Sequence, residues 1–107
     1  MHIIFSRYII QKNKKITADL DTKKDRYSTI AQKIWSYAEM GFQEEKSAAL
    51  LQETLRAEGF TITKGVAGMP TAFIAEYGEG KPVIALLGEY DALPGLSQEA
   101  VPEKKLG

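Results

Sequence analysis

Apolar positions recur at helical spacing from Thr17 onward. Tyr27, Ile30, Ile34 and Ala38 follow one another at intervals of three and four, and Ala31 and Trp35 widen the stripe. That period predicts an amphipathic helix with Trp35 in its core. Gly41 is the expected stop, because glycine takes left-handed backbone angles at little cost. Phe42 is then the apolar residue that packs back after the cap. A second helix is expected to begin between Gln43 and Lys46, where glutamates suit the positive end of a helix dipole. Ala48, Leu51 and Leu55 form its buried stripe, with Leu50 beside them, and Gly59 followed by Phe60 marks its end.

Beyond Phe60 the pattern shortens to that of strands. Thr61-Ile62-Thr63 alternates and is β-branched, Gly65, Gly68 and Pro70 mark a loop, and Thr71 to Tyr77 reads as a second strand. Gly78 to Pro82 is a turn. Val83-Ile84-Ala85-Leu86-Leu87 is a continuous apolar run, the pattern of a strand covered on both faces. Residues from Ser97 to Gly107 are polar and loop-like. The order is helix, helix, strand, strand, strand, an α/β class. Residues 1–16 remain an uncertain N-terminal segment that suits a helix, a strand or a tail, and 17–107 form the readable domain. Three strands cannot cover a central strand on both faces and both edges, so the sequence is expected to be a piece of something larger or to need a partner.

At 107 residues the chain is one domain at most. Fourteen basic side chains balance fourteen acidic ones, which argues against nucleic acid as the main partner. The clusters Lys12, Lys14, Lys15 and Lys23, Lys24, Arg26 read as solvated faces. There is no cysteine, so disulfides and thiolate metal sites are excluded for these residues. Cysteine-free composition and the lack of a recognisable signal peptide fit a cytoplasmic location. No apolar run is long enough to span a bilayer, so no membrane partner is expected.

The candidate chemistry lies at the end of the apolar run. Gly88-Glu89-Tyr90-Asp91-Ala92-Leu93-Pro94-Gly95 delivers two carboxylates at alternate positions to the carboxyl end of a strand, where open α/β sheets place ligands. Alternation puts Glu89 and Asp91 on one face and Tyr90 on the other. Such a pair suits a hard divalent cation, an acid–base couple, or the orientation of histidine ligands from behind. It suits equally well the plain capping of the following turn. Glu39, Glu44 and Glu45 form a second acidic group, better explained by solvation and helix-dipole complementarity than by catalysis. The only histidine, His2, is not expected to be a ligand. No phosphate-binding loop and no serine or cysteine nucleophile with a histidine base is present.

Several stretches carry a resemblance. Ile34-Trp35-Ser36-Tyr37-Ala38-Glu39-Met40-Gly41-Phe42-Gln43-Glu44, Gly65 to Ala75 and Gly80 to Gln98 resemble the dizinc aminoacylase, carboxypeptidase and amidohydrolase family of metallopeptidases. Within that family they look like the p-aminobenzoyl-glutamate hydrolase branch. The resemblance implies the N-terminal part of an α/β/α catalytic domain, belonging to a protein that assembles as a homo- or hetero-oligomer. It also implies hydrolysis of an amide bond to an amino acid in a small, dipeptide-like or aroyl-glutamate substrate, with zinc or manganese. The family's metal strand commonly reads His-x-Asp-x-x-Pro. Here Glu89 takes the histidine place, Asp91 the aspartate place and Pro94 the proline place. The resemblance thus implies Asp91 and Glu89 as metal ligands or as anchors behind them. The family's downstream ligands and catalytic glutamates have no counterpart in these residues. The chain alone is therefore expected to be inactive and to bind no metal tightly. The competing reading is a non-catalytic α/β module that docks on a partner or complements a separately encoded remainder.

Overall fold

The computed structural model describes the backbone of residues 2–107 and the side chains of 11–107. Met1 and the side chain of His2 lie outside the described residues. The chain divides into two units, Met1–Ala31 and Gln32–Gly107.

The first unit is helical. Helix α1 runs His2–Tyr37, so its backbone is helical well before Thr17, where the apolar period begins. Local bonds hold it. The Thr17 hydroxyl donates to the Asn13 and Lys14 carbonyls at 3.0 Å, and the Thr29 hydroxyl donates to the Asp25 carbonyl at 2.8 Å. Lys23 pairs with Asp19 one turn earlier at 2.8 Å. An exposed pair of this kind adds only a few tenths of a kcal/mol, roughly 0.3–0.5. Ile16, Leu20 and Tyr27 on this helix are largely exposed.

The second unit carries the mixed α/β architecture. Helix α1 ends at Tyr37, earlier than the expected stop at Gly41, and Ala38 turns the chain with a left-handed φ of 48°. Gly41 does not take a left-handed angle, but Phe42 does, at φ 66°. The exit is set by what the next residues must reach, not by the glycine. Trp35, expected in a core, is 52% exposed.

Helix α2, Glu45–Ala57, starts where its acidic residues predict. It closes as a Schellman motif. The Gly59 N–H donates to the Arg56 carbonyl at 3.0 Å and the Phe60 N–H donates to the Leu55 carbonyl at 3.1 Å, with Gly59 at φ 92°. Of the expected stripe Ala48 is buried, while Leu50, Leu51 and Leu55 are half-buried. The deeply buried neighbours are polar: Ser47 and Gln52. The Gln52 side-chain oxygen is buried with no hydrogen-bond donor among the described residues.

Strands β1, Thr61–Lys64, and β2, Phe73–Glu76, pair antiparallel with Ile62 opposite Ala75 and Lys64 opposite Phe73. The half-buried side chains Ile62, Phe73 and Ala75 share one face, and α2 packs on the hairpin. Ile74 on the other face is half-exposed. The connection turns at Gly65, whose N–H donates to the Ala72 carbonyl at 2.8 Å, and passes through a single 3-10 turn at Val66–Gly68. The Phe60 and Tyr77 rings, centroids 5.2 Å apart, close the open end of the hairpin.

The third expected strand does not form. Val83, Ile84, Leu86 and Leu87 have no ladder and are 84%, 83%, 94% and 94% exposed. The run has the composition of a doubly covered strand, but a strand exists only through partners for its N–H and C=O groups. Among the described residues none lies beside it. The tail is loop-like as expected and is closed by Gln98. Its side-chain amide donates to the Glu103 carbonyl at 2.9 Å and accepts from the Lys105 N–H at 3.1 Å.

Replacing Gly59 by Ala should lower stability by about 1 kcal/mol through left-handed strain alone. A Cβ there meets the Tyr77 ring at an ordinary 3.5 Å. The same change at Gly88, which has open space and no left-handed angle, should leave stability unmoved in urea titrations of both variants.

Candidate functional site: a carboxylate turn tied to a helix N-terminus

Helix α2 begins without a capping side chain of its own. Glu44 precedes it, and its carbonyl accepts from the Ala48 N–H at 2.9 Å, but its side chain makes no cap. The free amides of the first turn are satisfied from outside, by Glu39. One carboxylate oxygen accepts from the Lys46 N–H at 2.9 Å. The other accepts from the Ser47 N–H and the Ser47 hydroxyl, both at 2.8 Å. A carboxylate here meets the positive end of the helix dipole as well as the unpaired donors. Burial acts against the Glu39 charge, but the bonds from Ser47 and Lys46 and the Lys46 ammonium outweigh it. The carboxyl is held below its ordinary 4.5.

A second chain of bonds starts at Glu44. Its carboxylate accepts from the Thr71 hydroxyl at 2.7 Å, and this bond is the main reason its pKa lies below the ordinary value. Thr71 is buried, and its carbonyl accepts from the Tyr90 hydroxyl at 2.8 Å. Burial, with the nearby Glu44 charge, raises the Tyr90 phenol, so it stays a neutral donor. Its ring lies beside Phe73 at 6.3 Å.

The two systems meet on either side of Asp91. Tyr90 reaches Thr71. The Ala92 N–H donates to the Glu39 carbonyl at 2.7 Å, and Met40 bridges Ala92 in parallel fashion. Asp91 lies exposed between these anchors. Its Oδ2 stands 3.8 Å from where a Cβ on Gly41 would be. Glu89 is also exposed. Tyr90 turns inward and its acidic neighbours are open to solvent.

The arrangement offers two carboxylates on an anchored turn. Among the described residues no three His, Cys, Asp or Glu side chains are grouped to hold a metal ion. Two carboxylate side chains are too few for a closed divalent-metal site, which takes four or more donors, so the residues present do not by themselves fit one. The role of Glu39 follows the dipole reading of the sequence. The Thr71 and Tyr90 links were not foreseen. The missing Ser, Thr, Asp or Asn before Glu45 was the available signal that an acceptor had to come from elsewhere.

The matched stretch of this chain is similar to segments of proteins of the peptidase and amidohydrolase family. It is 53% identical over 81 residues to a p-aminobenzoyl-glutamate hydrolase subunit of Escherichia coli, covering 76% of this chain and 17% of that protein. It is 35% identical over 82 residues to thermostable carboxypeptidase 1 of Saccharolobus solfataricus, covering 75% of this chain and 21% of that one. It is 33% identical over 89 residues to the amidohydrolase YhaA of Bacillus subtilis, covering 83% and 22%. The chain thus spans about a fifth of the length of the curated relatives it matches. No family model matches it, and no solved structure does.

Tyr90→Phe removes one buried hydrogen bond and should cost about 1 kcal/mol, read as a lower urea midpoint. Acid should destabilise the second unit. Glu39 and Glu44 have folded pKa values below the unfolded 4.5, so their stabilisation is complete above that pH. It is lost as pH falls through the folded values. The acid limb of a pH–stability curve should flatten when both are changed to Gln, and an unchanged limb would refute this assignment.

Proposed function

We propose that this chain is the N-terminal part of a metal-dependent amidohydrolase catalytic domain, inactive by itself. The substrate class is an amide of an amino acid, of the aroyl-glutamate kind. The observation that carries the reading is the 53% identity over 81 residues to the p-aminobenzoyl-glutamate hydrolase relative. The turn Glu89-Tyr90-Asp91-Ala92-Leu93-Pro94 supports it, since its anchoring leaves two carboxylates open at the end of an apolar run.

In this reading a divalent cation, zinc or manganese, supplies the polarisation of the amide carbonyl and the activated water when bound. The donor set here is incomplete, so no catalytic step is assigned to these residues. Their contribution is one wall of the site. Asp91 and Glu89 ligate the ion or orient groups supplied from the rest of the domain. The relative's name describes one subunit of an enzyme, and the whole protein is read as working within an oligomer. Among the described residues no helix is long and apolar enough to cross a membrane. A cytoplasmic location belongs to this same reading. A second reading, a module that complements a separately encoded remainder, is favoured by the exposure of Val83 to Leu87.

The test has two arms. The purified chain with zinc or manganese should show no turnover of p-aminobenzoyl-glutamate. Grafted in place of the matched segment of the Escherichia coli relative, it should support hydrolysis. In that chimera Asp91→Asn should lower turnover roughly 10- to 100-fold with the fold intact, the size seen when groups behind metal ligands are changed. Wild-type kinetics in the Asp91→Asn chimera would return Asp91 to turn capping. Turnover by the chain alone would overturn the proposal.

A further inference from the structure

Hydrogen bonds in the second unit close into a ring. The Ala92 N–H donates to the Glu39 carbonyl at 2.7 Å. The Glu39 carboxylate accepts from the Lys46 and Ser47 N–H groups at 2.9 and 2.8 Å. Glu44, just before α2, accepts from the Thr71 hydroxyl at 2.7 Å, and the Thr71 carbonyl accepts from the Tyr90 hydroxyl at 2.8 Å. The chain itself completes the circuit from Tyr90 through Asp91 to Ala92. The first turn of α2 and the acidic turn are thus opposite sides of one circuit. Packing does not take the place of these bonds. A cleft of about 290 Å³ lies between Ala48, Ala49 and Gln52 of α2 and Lys64, Pro70 and Thr71. Across this hollow the Thr71 hydroxyl holds the loop before β2 to the start of α2.

We propose that this ring is a coupling device: the first turn of α2 and the turn that carries Glu89 and Asp91 open and close together. Three features support it. First, two members of the ring each serve two neighbours. Glu39 gives its carbonyl to Ala92 and its carboxylate to α2, and Thr71 gives its hydroxyl to Glu44 and its carbonyl to Tyr90. Losing one bond frees the shared residue and weakens the next bond along. Second, Ser47 and Thr71 are buried, so water does not readily replace a bond that opens there. Third, the links differ in strength. The carboxylates of Glu39 and Glu44 make charge-assisted bonds, and Glu39 also meets the positive end of the α2 dipole. The Tyr90–Thr71 bond joins two neutral groups, so the ring opens most readily there.

Such a coupling is reciprocal. A group that favours the anchored form of the acidic turn protects the amides at the start of α2, and a change that uncaps α2 loosens the turn. Tyr90 and Thr71 are positioning residues in this scheme. Tyr90 bonds to Thr71 and not to α2, so an effect of Tyr90 on Lys46 and Ser47 must travel around the ring. This inference rests on hydrogen bonds within the second unit and stands independently of the proposed hydrolase reading.

Amide hydrogen exchange of the 107-residue chain, read residue by residue by NMR, tests the coupling. Tyr90→Phe should speed exchange at the Lys46 and Ser47 N–H groups roughly 2- to 10-fold, the size of one net hydrogen bond. The Gly59 and Phe60 N–H groups, which close the far end of α2, should keep their rates. Thr71→Val removes the hydroxyl and should speed exchange at Ala92 to a similar extent, while Thr71→Ser should keep the wild-type rate there. Combining Tyr90→Phe with Thr71→Val should add little to either single change, because one break already opens the ring. Unchanged rates at Lys46 and Ser47 in Tyr90→Phe would overturn the proposal. So would an equal rise at Gly59 and Phe60, which would mark general unfolding, or fully additive effects in the double variant. If Thr71→Val does not fold, Tyr90→Phe decides the matter by itself.

Discussion

The second unit depends on one carboxylate. Glu39 stands between the end of α1 and the start of α2, and its side chain closes the first turn of a helix that brings no cap of its own. The same residue's carbonyl accepts the Ala92 amide, so one position joins the helix junction to the distant acidic turn. This explains why α1 ends at Tyr37. Continuing the helix to Gly41 would carry Glu39 around the helix axis and away from both partners. The left-handed angle at Ala38 is a local cost of roughly 1–2 kcal/mol, offset by the bonds it permits.

A second constraint runs through Thr71. It is buried, it donates to Glu44 and it accepts from Tyr90, so the loop before β2 is the relay between α2 and the turn. With Ala48 the only buried apolar residue among those described, polar bonds and not a deep core fix the position of Asp91. A network of this kind is directional, and it holds a turn in place where a small apolar contact would let it slide. A thin core also means that the unit is only marginally stable as it stands.

The relationship to amidohydrolases and peptidases gives these observations a setting. The segment, which spans about a fifth of the length of these relatives, carries local devices that hold the acidic turn, while the adjoining apolar run stands in water. Local capping and side-chain bonds need only nearby residues. Strand formation needs neighbours from elsewhere in a sheet.

Much of the fold was legible in the sequence because it rests on short-range physics. The start of α2, its Schellman stop at Gly59, the strands at Thr61 and Phe73 and the polar tail all follow from period, dipole and turn chemistry between residues close in sequence. What the sequence could not determine was anything set by long-range partners. Gly41 carried a helix-stop signal, yet the stop fell at Tyr37 because Glu39 is claimed by Lys46, Ser47 and Ala92. Trp35 and the run Val83 to Leu87 have core composition, but composition states only a preference for burial. Whether a side chain is covered, and whether an apolar run becomes a strand, is decided by which surfaces and hydrogen-bond partners the tertiary structure brings beside it.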